Sequence, residues 1–336
     1  MRLPELRADV IRRYGLWVVL VAVTAVLALV SPTFRQPINL QNILEQNSII
    51  GIVACGMAVM MISGGFDLSV GAVGVCCSVL AAVLSTHFGT PAAILGALAL
   101  GLVVGLVSGT LIAKVKINAF VATFAMASVV SGLLFVATGA ESKPARVPLL
   151  ADAAITRVAG IPVSFLVFLA CLAAVWFFLT RTRYGHYVYS VGGNEEASHL
   201  SGVPVHRVKM LAFALGGFFA AVAGLLLLGQ TTVGQPSAGG NWPLQAIAIC
   251  VVGGIALTGG VGRVEDVLAA TLFLGVIANS LNQLSISPYW QPTVTGIVIL
   301  VAVVLERYNR LHRARPAAAP APQPAATPAP AGTTSR

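Results

Sequence analysis

Residues 181–210, RTRYGHYVYSVGGNEEASHLSGVPVHRVKM, form one of the two longest polar interruptions between apolar segments of this chain. They hold Arg181, Arg183, Arg207 and Lys209, with His186, His199 and His206 among them. In their middle, GGNEEASHLSG predicts one short, isolated helix. Asn194 is a good N-cap, Glu195 and Glu196 put negative charge on the positive end of the helix dipole, and His199 sits toward the negative end. Gly202 suits the left-handed stop position and Pro204 prevents continuation. Two turns at most, bounded by apolar segments, have too little surface to be a domain. The stretch therefore reads as a knob presented to another protein.

The sequence on either side decides the setting of that knob. Of 336 residues, 57% are hydrophobic and 9% charged, and the mean hydropathy is +0.90. Soluble domains carry about a quarter charged residues. The chain is therefore expected to be an all-α polytopic membrane protein, with no room for an ordinary soluble enzyme domain. Ten spans are expected at about 16–30, 43–62, 68–85, 92–112, 119–138, 162–180, 210–229, 244–258, 266–283 and 291–305. With the N-terminus in the cytoplasm, sixteen of the 20 lysines and arginines fall inside; only Arg35, Lys143, Arg146 and Arg157 fall outside. That is the positive-inside asymmetry, and it puts both termini in the cytoplasm. The net charge of +9 thus reports orientation. With no soluble basic domain present, it does not point to nucleic acid.

Cys55, Cys76, Cys77, Cys171 and Cys250 all lie in apolar runs without a CxxC pair, and read as small buried residues. The N-terminal arginines and first apolar run resemble a signal peptide. The run is long for one and lacks a clear small-x-small cleavage site, so an uncleaved first span is expected. Residues 31–42 form an outer loop in which Asn39 or Asn42 can cap the next helix. Asn118 opens the fifth span. The loop 139–161 mixes charge and proline, as a solvated loop or an outer docking surface would.

Two glycine-rich breaks stand out. The second span ends in Ser63–Gly64–Gly65–Phe66–Asp67–Leu68–Ser69–Val70–Gly71, and the eighth in Gly253–Gly254–Ile255–Ala256–Leu257–Thr258–Gly259–Gly260. Set one against the other, they match at four positions, with Ser69 against Thr258 at a fifth. Corresponding broken segments in two halves of a chain point to a transport site, although this repeat runs parallel where an inverted one is more usual. Asp67 has two readings: a pathway residue beside open backbone, or an N-cap of the third span. Gly101, Gly105 and Gly109, and likewise Gly216, Gly217 and Gly224, read as helix-packing positions. In the ninth span Asn279, Asn282 and Gln283 share one face. Their amides suit either the hydroxyls of a polyol or hydrogen bonds between helices.

No phosphate-binding GxxxxGK[ST] loop, GxSxG or HExxH occurs, and ionisable groups within the spans are nearly absent. Coupled carriers need such groups inside the bundle. The work of any uphill transport must then come from a partner, for which Asn194–Gly202 is the contact.

Several stretches resemble one family. SGGFDLSVGAV (63–73), INAFVATFAMASVVSGL (117–133), RYGHYVYSVGGNEEASHLSGVPVHRVKM (183–210), GGFFAAVAGLLLL (216–228) and AIAICVVGGIALTGGVG (246–262) occur in order. Together they look like a permease subunit of the ribose/xylose/arabinose class of bacterial ABC sugar importers. The resemblance implies a helical permease paired with a second permease copy. It also implies cytoplasmic ATP-binding subunits, which alone bind ATP and Mg, and a periplasmic sugar-binding protein. By position, Gly193, Asn194, Glu195, Glu196, Ala197, Leu200, Ser201 and Gly202 fall in the loop that meets the ATPase. Gly64, Gly65, Asp67, Leu68, Ser69 and Gly71 match a second motif. The chain departs from the family at His199, where arginine is usual, and at Pro243 and Gln245, where acids are usual.

The expected organisation is a cytoplasmic N-terminus (1–15), a transmembrane permease domain (16–306) with the coupling loop at 181–210, and a basic, then Pro/Ala-rich disordered tail (307–336). The expected function is import of a monosaccharide across the bacterial inner membrane, with no cofactor or metal in this chain and with membrane lipid around it. Gly64, Gly65, Asp67, Ser69, Asn279, Asn282 and Gln283 are its candidate path residues. The alternatives are branched-chain amino acids or nucleosides carried by the same architecture, or a self-sufficient secondary carrier.

Overall fold

The computed structural model of the chain describes residues 3–283 and single positions from 287 to 304. The tenth expected span (291–305), apart from those positions, and the tail 307–336 lie outside the described residues. The rest is nearly all helix: α1 (Leu3–Val30), α2 (Pro37–Ile62), α3 (Val70–Ala113), α4 (Ala119–Thr138), α5 (Pro148–Ile155), α6 (Val163–Arg181), α7 (Arg183–Gly193), α8 (Glu195–Leu200), α9 (Val205–Thr231), α10 (Trp242–Val252) and α11 (Glu265–Gln283). Two antiparallel pairs of two-residue strands join the loops at one end: β1 (Lys143–Pro144) with β4 (Val233–Gly234), and β2 (Arg157–Val158) with β3 (Ile161–Pro162).

By length and composition α2, α3, α4, α6 and α9 suffice to cross a membrane. The third and fourth expected spans are the two arms of α3, which bends at Gly89 (φ 80, ψ 176) just before Pro91. The eighth expected span, 244–258, is corrected. Its helix stops at Val252, where Gly253 and Gly254 turn the chain, and 11 residues rise only about 16 Å. The helix of the seventh expected span, α9, begins at Val205, five residues before the expected 210. Neither Asn39 nor Asn42 caps α2, because Pro37 starts that helix behind Gln36. Asn118 does cap α4, its Oδ1 accepting the N–H of Phe120 at 2.9 Å.

α2 and α9 form the centre of the bundle. Burial along both, from Ile52–Ile62 and from Ala212–Leu228, makes one continuous core with α6 and α10. α9 also runs against both arms of α3. A Cβ on Gly105 would meet the Cα of Ala214 at 3.0 Å, and one on Gly109 the Cα of Met210 at 2.9 Å, so the backbones touch as small-residue seams allow. The first arm of α3 starts near the middle of α9, since Gly74 lies against Ala220. The segment joining α2 to α3 therefore sits partway through the bundle. Cys55, Cys77 and Cys250 are buried as expected; Cys76 and Cys171 are half-buried, and all five are free thiols.

Candidate functional site

The knob forms as its residues dictate, with one correction. Asn194 Oδ1 accepts the N–H of Ala197 at 2.8 Å, Ser201 Oγ donates to the Ala197 carbonyl at 2.8 Å, and Gly202 closes the end at φ 80. α8 is not isolated, however. α7 precedes it directly, capped by Thr182, whose hydroxyl accepts the N–H of Gly185 at 3.1 Å. The sequence 183–193 looked polar because it carries one apolar edge, with Val188 and Val191 buried.

Glu195 anchors α8. Its carboxylate pairs with Lys209 at the start of α9 and with Lys116 at 3.3 Å on the α3–α4 turn. Partial burial works to raise this carboxyl, but the two lysine ammoniums outweigh it and hold it below the ordinary value. Leu200 is 82% exposed at the tip, an apolar side chain that the fold leaves uncovered. Glu196 and His199 line a cavity of about 960 Å³ that leads to Gly64, Gly65 and Phe66. Among the described residues no group of three or more His, Cys, Asp or Glu is placed to hold a metal ion.

The two glycine-rich breaks meet. Gly260 donates its N–H to the Ile62 carbonyl at 2.9 Å. A Cβ on Gly259 would lie 2.7 Å from the Cα of Gly64, and both residues take positive φ (84 and 86), which glycine alone adopts at little cost. Gly192, at the end of α7, fills the remaining side. A Cβ there would run into the Ile62 carbonyl oxygen and lie 2.6 Å from the Gly260 nitrogen. Tyr189 adds a hydrogen bond from its hydroxyl to the Gly262 carbonyl at 3.1 Å. The junction therefore ties α7, and through it α8, to both breaks.

Asp67 is only 2% exposed, and one of its oxygens takes both the N–H and the hydroxyl of Ser69 at 2.6 Å. This closes a turn at the start of α3. Asp67 is not among the residues lining the large cavity, which Gly64, Gly65 and Phe66 reach. Ser69 is fully buried. Asp67 thus holds a turn just ahead of α3, whose N-cap position is Ser69 and carries no side-chain capping bond.

The amides of α11 divide. Asn279 exchanges two hydrogen bonds with Asn39 (2.9 and 3.1 Å), and Gln283 donates to Asn279 and accepts from Ser31. Asn279 thus joins α11 to α2, and Gln283 ties α11 to the loop after α1. Asn282 and Asn279 both line a second cavity with Gln46, Asn47, Gln245 and Trp242, Asn279 while paired with Asn39. Sequence reasoning missed Gly192, Lys116, Lys209 and this α2–α10 contribution. The Gly192–Gly193 pair was a signal of its own, a double glycine inside a segment read only for its caps.

The family described as branched-chain amino acid transport system / permease component matches residues 39–303. The ribose import permease protein RbsC of Escherichia coli (strain K12) is 36% identical over 294 residues, covering 86% of this chain and 92% of that protein. The L-arabinose transport system permease protein AraH of the same strain is 37% identical, covering 89% and 91%. The L-arabinose ABC transporter permease protein AraH of Azospirillum brasilense is 33% identical, covering 91% and 90%. No solved structure matches the chain.

Proposed function

The chain belongs to the family of transport-system permease components, and from that premise we propose that it is the membrane permease of an ABC importer for a monosaccharide. The observation that carries this is the 36–37% identity, over nearly the whole length, to proteins named for ribose and L-arabinose transport. The absence of a phosphate-binding loop from the sequence agrees with a division of labour in which a separate subunit binds ATP and Mg.

In this reading the apolar segments of 16–306, the short α10 reaching only partway, lie in the bacterial inner membrane with both termini in the cytoplasm. The first 15 residues and the tail 307–336 lie inside. α8 is the coupling helix. Asn194, Glu195, Glu196, Ala197, Ser201 and Gly202 shape it, and Leu200 is the apolar tip that enters the ATPase. Closure of the ATPases moves α8, and the glycine junction passes that motion to both breaks. Gly64 and Gly65 flank the inward cavity, while Asp67 and Ser69 hold the turn. A second permease copy completes the conduit and a periplasmic binding protein delivers the sugar.

The family description favours a second reading, branched-chain amino acids as cargo. The complete complex reconstituted in liposomes separates the two. ATP-dependent uptake from a panel of D-ribose, L-arabinose and D-xylose, without leucine uptake, is the expected result. Leucine uptake alone, or gradient-driven accumulation by this chain without partners and ATP, refutes the proposal.

A further inference from the structure

The cavity at the other end of the bundle from α8 is not accounted for by coupling. Gln46 lies sixteen residues before Ile62 on α2, roughly 24 Å along the helix from the glycine junction. Beside it a space of about 270 Å³ opens between α2, α10 and α11, close to the ~300 Å³ lower end for small-molecule sites. The amide residues Gln46, Asn47, Gln245, Asn279 and Asn282 line it with Trp242, although Asn47 already donates to the Ile43 carbonyl at 2.7 Å and Asn279 is paired with Asn39. The side chains of Gln46 and Gln245 make no hydrogen bond among the described residues.

The chemistry of this lining is selective. Each amide offers donors and an acceptor, so the set can serve hydroxyls in either sense. Among the described residues that line it there is no carboxylate, ammonium or guanidinium. An amino acid would bring two charges into a space without a counter-charge, a costly burial. A neutral polyol brings none, and an aromatic face suits the apolar side of a sugar ring.

Resting on the permease reading, we propose that this amide-lined cavity between α2, α10 and α11 binds a single neutral monosaccharide during transport. Its position also connects it to the coupling end. Two of its walls, α10 and α11, are joined through 253–264, the segment that carries Gly259 and Gly260 into the junction with Gly64 and Gly192. A shift of α7–α8 there acts on both walls together.

The test uses the complete reconstituted complex and the same sugar panel. Gln245→Leu and Asn282→Leu each raise the half-saturating sugar concentration or lower flux about fivefold to tenfold, as loss of one or two hydrogen bonds requires. ATP hydrolysis stimulated by the binding protein persists in both variants, and Asn282→Gln retains most uptake. In a permease with both amides intact, an Ala278→Cys substitution reports occupancy separately: a maleimide reacts with it more slowly when sugar is present, and leucine has no such effect. Normal sugar uptake in both leucine variants, with no protection at position 278, overturns the site alone. An unaltered complex that imports no sugar overturns the permease reading and the site with it.

Discussion

The backbone N–H of Gly260 donates to the carbonyl oxygen of Ile62 at 2.9 Å, joining the last turn of α2 to the loop between α10 and α11. Ile62 would otherwise have an unpaired carbonyl at the end of a buried helix, because the chain turns away at Ser63 and Gly64. The partner comes from the other half of the chain. Gly192 lies over this bond, so the segment leading into α8 cannot move without disturbing it.

That contact makes Gly192 sensitive to any side chain. Gly192→Val places atoms where the Ile62 carbonyl and Gly260 nitrogen already sit, whereas a Cβ on Gly193 meets nothing within 4 Å. Gly192→Val is expected to abolish ATP-driven uptake, and Gly193→Ala to leave it within about twofold, since surface changes away from such features stay near ±0.5 kcal/mol. Paired transport and ATP-hydrolysis assays on the reconstituted complex check this. Equal uptake by the two variants would count against transmission through the junction.

Replacing Glu195 and Glu196 together by lysine puts like charges beside Lys116 and Lys209 and opposes the helix dipole. Uptake should fall at least tenfold while the permease remains folded, as judged by its thermal transition in detergent. Normal uptake by this variant would show that α8 does not couple.

The Glu195 carboxyl has a lower pKa in the folded chain than its ordinary value of 4.5, which the lysines cause. A depressed carboxylate contributes stability that is fully present above the unfolded value and lost as pH falls through the folded one. Hydrogen exchange at the α8 amides is therefore expected to accelerate as pH drops below about 4.5, after correction for intrinsic rates. In Glu195→Gln that pH step should vanish. A step of the same size in the variant would assign it to another group.

Asp67→Ala leaves the Ser69 N–H and hydroxyl without their acceptor in a buried turn, a loss of about 1–3 kcal/mol. Asp67→Asn keeps an acceptor and should recover most of that stability. Flux per folded molecule is expected to survive in both. Unchanged thermal stability with lost flux would make Asp67 a pathway residue instead.

Much of this was legible in the order of residues. The caps of α8 act between neighbours, so Asn194 and Gly202 could be read directly. Asn118 at α4 was legible for the same reason, and the spaced glycines marked packing positions without naming the helix they meet. The α7 helix was not, because its apolar edge is only two buried valines wide and its glycines read as loop. The end of α10 was misplaced because the apolar run continues past Gly253 while the helix does not. Asn279 and Asn282 share a helix face and one cavity, yet only the tertiary packing sets Asn39 opposite Asn279.

The sequence by itself determined that the chain is membrane-spanning helices joined by short polar links, with one capped knob, because apolar runs and caps act over a few residues. Only the tertiary structure decided that the two glycine-rich breaks touch each other and that Gly192 closes over them. Contacts between backbones distant along the chain depend on how whole helices pack, and glycine leaves no side chain to announce its partner.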